Sequence, residues 1–224
     1  MIYFIVVPII LMSIIIHEVS HGYAAHLLGD DTAYYNRRLS LNPLNHIDPF
    51  GTILLPILLL AVTRGGLVFG YAKPVPINPG NFPYETRKRD IGLTAAAGPI
   101  SNIAIAIIFS ILFRVITGIS MSNSSVLFGF FVLLANVSYM VVFFNLILAG
   151  FNLIPVPPLD GSKILGAFLP NHLYNKYVTF ERQGMAILMG ILLLSYVFRW
   201  NLIGMILLPP INLLITILTG SGIY

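Results

Sequence analysis

The residues best placed to do chemistry are His17-Glu18-Val19-Ser20-His21. On a helix, two histidines four residues apart project from one face with Cβ atoms roughly 5–6 Å apart, so both imidazoles can grip one metal ion. Glu18 follows His17 directly and lies beside the pair, near the metal yet free to move protons. The chain has no cysteine, so further ligands must offer nitrogen or oxygen. Catalytic zinc usually takes three protein ligands and keeps a fourth position for water. One ligand is still missing.

The other histidines do not supply it. His26 lies five residues past His21, whereas the longer HExxHxxGxxH pattern needs Gly and His where Ala24 and Leu27 stand. His46 and His172 fall in loops and are expected to be solvated. Of the 8 acidic residues, Asp30, Asp31, Asp48, Glu85, Asp90 and Glu181 have polar, loop-like surroundings. Asp160 alone follows directly on an apolar span, after the proline-broken run Pro155-Val156-Pro157-Pro158-Leu159. An ionisable group near membrane depth is costly without a partner, and a divalent cation is a strong one. Irregular backbone at that depth must be buried in protein or line a wet cavity. Asp160 is therefore the candidate third ligand.

The elements that must position these groups are membrane helices. The chain is 57% hydrophobic and 9% charged over 224 residues, far from a soluble composition. No polar stretch is long enough for a soluble module, so one membrane-embedded domain is expected over 1–224. Its catalytic core would cover about 2–170 and its C-terminal helices about 184–219. The net charge of +4 sits in loops between apolar spans, which points to membrane orientation and lipid contact rather than nucleic acid. The first apolar run lacks a basic leader and a small-residue cleavage site, so it is expected to be retained.

Spans are expected at Ile2–Leu28, Ile91–Ile116, Val126–Leu153, Gly184–Phe198 and Leu202–Leu218, with Pro209-Pro210 kinking or breaking the last. Residues 50–62 are too short for the ~20-residue crossing and contain Pro56, so they should dip in and return. Pro74, Pro76, Pro79 and Pro83 make 70–78 extended. The fold class is thus an all-α polytopic membrane protein. It has five or six transmembrane helices, with a re-entrant or extended segment between the His17 helix and the next span. With that segment re-entrant, Asp160 returns to the face where the first helix ends. Arg37, Arg38, Arg64, Lys73, Arg87, Lys88, Arg89, Lys163, Lys176 and Arg182 then share one side, against Arg114 and Arg199. By the positive-inside rule that side is the cytoplasm.

Within the spans, Thr94, Gly98 and Asn102 form a small or polar stripe at i, i+4 and i+8 that lets another backbone approach. Asn145, Ala149 and Asn152 lie along one side of the following span. Asn102 and Asn152 are read evenly as helix-bonding groups or as substrate or oxyanion binders. Lys73, Pro74, Val75 and Pro76 are either a structural loop or an edge to which an extended substrate adds. Trp200 reads as an interfacial anchor.

With HExxH in the first span and Asn152-Leu-Ile-Pro155-Val-Pro157-Pro158-Leu159-Asp160-Gly161 later, the chain resembles the site-2 protease family of intramembrane zinc metalloproteases. Gly70-Tyr-Ala-Lys-Pro-Val-Pro-Ile-Asn78-Pro79 and Ala97-Gly98-Pro99-Ile-Ser-Asn102 extend the likeness over residues 13–165. The resemblance implies one zinc per chain on His17, His21 and Asp160, with Glu18 as general base. It also implies a transmembrane protein substrate cut near the cytoplasmic side, in a prokaryotic plasma membrane on this reading. The eight-residue link Gly118–Ser125 leaves no room for an inserted PDZ domain, and the tail shows no CBS domain. A metal carrier or a silent helix-binding relative would not need Glu18 as a base, and every catalytic group is intact.

Overall fold

The computed structural model describes residues 2–64, 70–120, 126–174, 177, 183–199 and 201–220. Trp200, Lys176, Arg182, Glu181 and most of the link between the middle spans lie outside them. Helix α1, Ile2–Leu27, is 26 residues long and apolar on every side. Gly29 closes it at φ +104, a left-handed turn open to glycine, and Asp30 N then donates to Ala25 O at 2.9 Å. A short helix, α2 (Thr32–Tyr35), follows.

Pro49–Leu54 forms a wide π-type turn running into α3, Leu55–Val62. The Asp48 carboxylate starts it, accepting from Phe50 N at 2.9 Å and Gly51 N at 2.6 Å. Fourteen helical residues reach about 21 Å, short of the ~30 Å apolar core of a bilayer. The chain then comes back. Tyr71 N donates to Gly51 O at 3.1 Å and Lys73 N to His46 O at 2.8 Å, so the return limb ends beside the entry limb. That is the re-entrant path expected of this segment. Residues 70–78 carry no helix.

Among the described residues the longer helices that follow are α4 (Arg87–Ser120), α5 (Val126–Asn152), α6 (Asp160–Phe168), α7 (Gly184–Val197) and α8 (Leu202–Thr219). Helices α1, α4 and α5 are long and apolar enough to cross a membrane. The apolar helices at Pro49–Val62, Gly184–Val197 and Gly204–Thr219 are shorter, so the five or six expected spans include shorter ones. Helix α4 is the hub, packing against α1, α5, α6 and α8. Ala106, Val142, Leu146, Leu207, Ile211 and Ile215 close the α4–α5–α8 core. Phe4, Ile108, Phe130 and Met205 stay exposed on the outer faces, as lipid contact requires.

One expectation is narrowed and another needs correction. Helix α8 runs unbroken through Pro209 and Pro210. The two lost N–H donors are tolerated in a membrane helix packed through Leu207, Ile211 and Ile215. His46 is buried rather than solvated, and Asp30 and Asp90 are buried within their polar surroundings. Each has partners that offset burial: Thr32 and the distant Asn78 for Asp30, Thr86 and Arg89 for Asp90, and the Ser40 carbonyl for His46.

Candidate metal centre

His17 and His21 lie on consecutive turns of α1, about 15 Å and about 9 Å from its Leu27 end. Asp160 is the first residue of α6, and residues 153–159 fold back tightly to place it there. A Cβ on Gly161 would lie 2.2 Å from Leu153 O, so only glycine lets the loop close against the start of α6. His17 Nε2 is 3.1 Å and His21 Nε2 3.2 Å from Asp160 Oδ2. The two Nε2 atoms are 3.1 Å apart.

The stripe on α4 turns out to support the imidazoles. His21 Nδ1 lies 2.8 Å from the Thr94 carbonyl. A carbonyl only accepts, so Nδ1 carries the proton and Nε2 of the neutral ring is bare. Asn102 Oδ1 lies 2.6 Å from His17 Nδ1. Gly98 passes beneath both rings, where a Cβ would lie 2.4 Å from His21 Nε2 and 2.6 Å from His17 Cε1.

Does this set fit a metal? Asp160 Oδ2 is buried and has no hydrogen-bond partner. It faces the imidazole edges, and lone pairs converging this closely repel unless a cation lies between them. Ligand atoms about 2.0–2.1 Å from a tetrahedral ion lie roughly 3.3 Å from one another. The observed triangle of 3.1, 3.1 and 3.2 Å is close to that. Two imidazoles and a carboxylate suit zinc, and the set fits.

A cavity of about 330 Å³ opens on the triangle, walled by Glu18, Pro74, Val75, Asn152, Pro158 and Lys163 among others. Glu18 is half-buried at its edge, and its Oε2 accepts from Val75 N at 3.1 Å. Gly22, one turn beyond Glu18, makes room for that segment: a Cβ there would lie 2.8 Å from Val75 Cγ1. Pro74 and Val75 reach the cavity, whereas Lys73 and Pro76 are not among its lining residues. Asn152 lines it, giving one amide hydrogen to Leu148 O at 3.0 Å. Asn102 is fully buried behind His17 rather than in the cavity. His26 pairs with Asp31, away from the site. The Thr94 carbonyl and the Val75 N–H are main-chain groups, so no residue type announced them. Lys163 was visible only as a loop cation, although its place one turn after Asp160 puts it on the same side of α6.

Fold and site together define a membrane zinc metalloprotease. The profile described as "Peptidase family M50" matches residues 130–197. "Putative zinc metalloprotease YwhC" of Bacillus subtilis is 36% identical over 175 residues, covering 78% of this chain and 74% of its own. "Putative zinc metalloprotease Rip2" of Mycolicibacterium smegmatis is 26% identical over 194 residues, covering 85% and 67%. "Putative zinc metalloprotease MJ0611" of Methanocaldococcus jannaschii is 39% identical over 74 residues, about a third of each chain. No solved structure matches. The chain belongs to peptidase family M50.

Proposed function

We propose that the protein is an intramembrane endopeptidase that hydrolyses peptide bonds in or near the transmembrane segments of other membrane proteins. His17, His21 and Asp160 hold its zinc, and Glu18 is the general base. The observation that carries this reading is the depth of the site. Three ligand atoms meet inside a bundle of apolar helices, yet a cavity with polar walls reaches them. Zinc, when bound, supplies a Lewis acid that activates water and polarises the scissile carbonyl. Glu18 takes the proton of the attacking water and hands it to the leaving amine. The Val75 N–H holds one Glu18 oxygen and leaves the other to carry that proton. Asn152 has a second amide hydrogen with which to bind a developing oxyanion. A peptide must be extended to be cut, and the Lys73-Pro74-Val75-Pro76 segment at the cavity wall is the surface along which it would lie.

We place the protein in a prokaryotic plasma membrane with the site toward the cytoplasm. Arg87, Lys88 and Arg89 start α4 at the site end. Arg114 lies about 40 Å along the same helix, where it caps α8 through Leu218 O. The test uses purified full chain in detergent with a single-span model substrate. Wild type cleaves it, while chelator-treated protein and Glu18→Gln do not. The base assignment predicts a loss of about 10²–10⁴-fold in Glu18→Gln with zinc retained. Cleavage surviving in that variant, or metal flux without cleavage, overturns the proposal.

A further inference from the structure

Ser13, Asn102 and Asn145 come from α1, α4 and α5 and meet behind His17, each at most 2% exposed. Buried polar groups among apolar helices must be paired, and the way these pair has a direction. We infer that Asn145 and Ser13, which do not line the cavity, are positioning residues that set the tautomer of His17 through Asn102. The inference rests on the zinc reading of His17, His21 and Asp160.

The direction is fixed at the far end by main-chain carbonyls, which only accept. Asn145 Nδ2 lies 2.9 Å from Val141 O, so the NH2 of that carboxamide faces it. The same NH2 sends its other hydrogen to Ser13 Oγ at 3.1 Å. Ser13 has already donated its own hydroxyl proton to Ile9 O at 3.1 Å, so its oxygen is there to accept. With both hydrogens used, Asn145 presents Oδ1 to Asn102 Nδ2 at 3.0 Å. The Asn102 NH2 also faces Ser13 O, at 3.5 Å. Asn102 therefore turns its oxygen to His17 Nδ1, which must carry the ring proton, leaving Nε2 bare toward His21 and Asp160. Flipping either amide would set oxygen against carbonyl oxygen. In this way Val141 and Ile9, far from the chemistry, decide which nitrogen of His17 can bind zinc.

A network that only glued helices together would be indifferent to this polarity, so tautomer and affinity separate the two roles. Zinc affinity is measured by chelator competition on the full chain in detergent. The His17 Nδ1–H signal is followed in 15N-histidine-labelled protein, assigned by its loss in His17→Ala. Asn145→Leu fills similar space without polar atoms and is expected to weaken zinc about 10–100-fold, as loss of a partner behind a metal-bound histidine does, and to move or broaden that signal. Ser13→Ala should do the same to a smaller degree, and Ser13→Thr, which keeps the hydroxyl, should restore the wild-type values. If Asn145→Leu does not fold, the two Ser13 variants decide. Wild-type affinity with an unmoved His17 signal in Asn145→Leu, or in Ser13→Ala where the former does not fold, overturns the inference. Wild type that takes up no zinc would instead sink the underlying metal assignment.

Discussion

Two carboxyl groups share one cavity and are given different work by what touches them. Asp160 Oδ2 faces two imidazole nitrogens with no hydrogen-bond donor of its own, whereas Glu18 Oε2 is held by the Val75 N–H. On the proposed reading the first holds a cation and the second moves a proton. Their amide variants should therefore part company. Glu18→Gln keeps the shape and still accepts from Val75, so it retains zinc. Asp160→Asn replaces an anionic ligand with a neutral one and should lose zinc on dialysis, along with all cleavage. Elemental analysis of both purified variants checks this. Zinc retained at wild-type occupancy in Asp160→Asn would remove that residue from the ligand set.

At the level of elements, α4 decides whether the ligands can meet. The Thr94–Gly98–Asn102 stripe was legible as a place where another helix comes close. Its use was not legible, because a carbonyl at 94 and a missing side chain at 98 are not chemical signals in a sequence. Gly98→Ala puts a Cβ within 2.4 Å of His21 Nε2, against an imidazole already tied to Thr94 O on the same helix. The ring cannot yield without losing its partner. We expect zinc affinity to fall at least about 10-fold with insertion of the helices unchanged, read by chelator competition and circular dichroism. The ends of the long spans could be read to within a few residues, since apolar runs stop where polar residues and prolines begin. Pro209-Pro210 left a kink or a break open, because local chemistry allows either, and packing of Leu207, Ile211 and Ile215 keeps the helix continuous. Ser13 could have been found, being one turn before His17 on the same face of α1. The burial of Asp30 could not, because apart from Thr32 its partners, Asn78 and Asn81, lie some fifty residues ahead.

Across the whole molecule, the extended segment that reaches Glu18 is anchored beyond the site, most heavily at Asp30. The Asp30 carboxylate, fully buried just past the end of α1, accepts from Asn78 N at 2.7 Å and from Asn81 Nδ2 at 2.6 Å, and also binds Thr32. Together with Arg38, which donates to Lys73 O at 3.0 Å, it ties residues 73–81 to α1 and so sets Val75 over Glu18. Burial by itself would raise the Asp30 pKa, but the hydrogen bonds from Thr32, Asn78 and Asn81 outweigh it and the value lies below the ordinary one. The sign follows. A carboxyl with a lowered folded-state pKa contributes its stabilisation above the unfolded value of about 3.9, and loses it as pH falls through the lower folded value. The anchor should hold unchanged from pH 8 to pH 5 and fail only in stronger acid. Asp30→Asn should remove it at every pH, since an amide has one acceptor oxygen where the carboxylate has two. Hydrogen exchange at the Val75 and Asn78 amides measures this directly. Wild type should protect both throughout pH 5–8. Asp30→Asn should expose Asn78 fully and Val75 in part at pH 7, with cleavage falling although zinc stays bound. Equal protection in the two proteins would show that Arg38, the His46 carbonyl and packing on Gly22 hold the segment over Glu18 without Asp30.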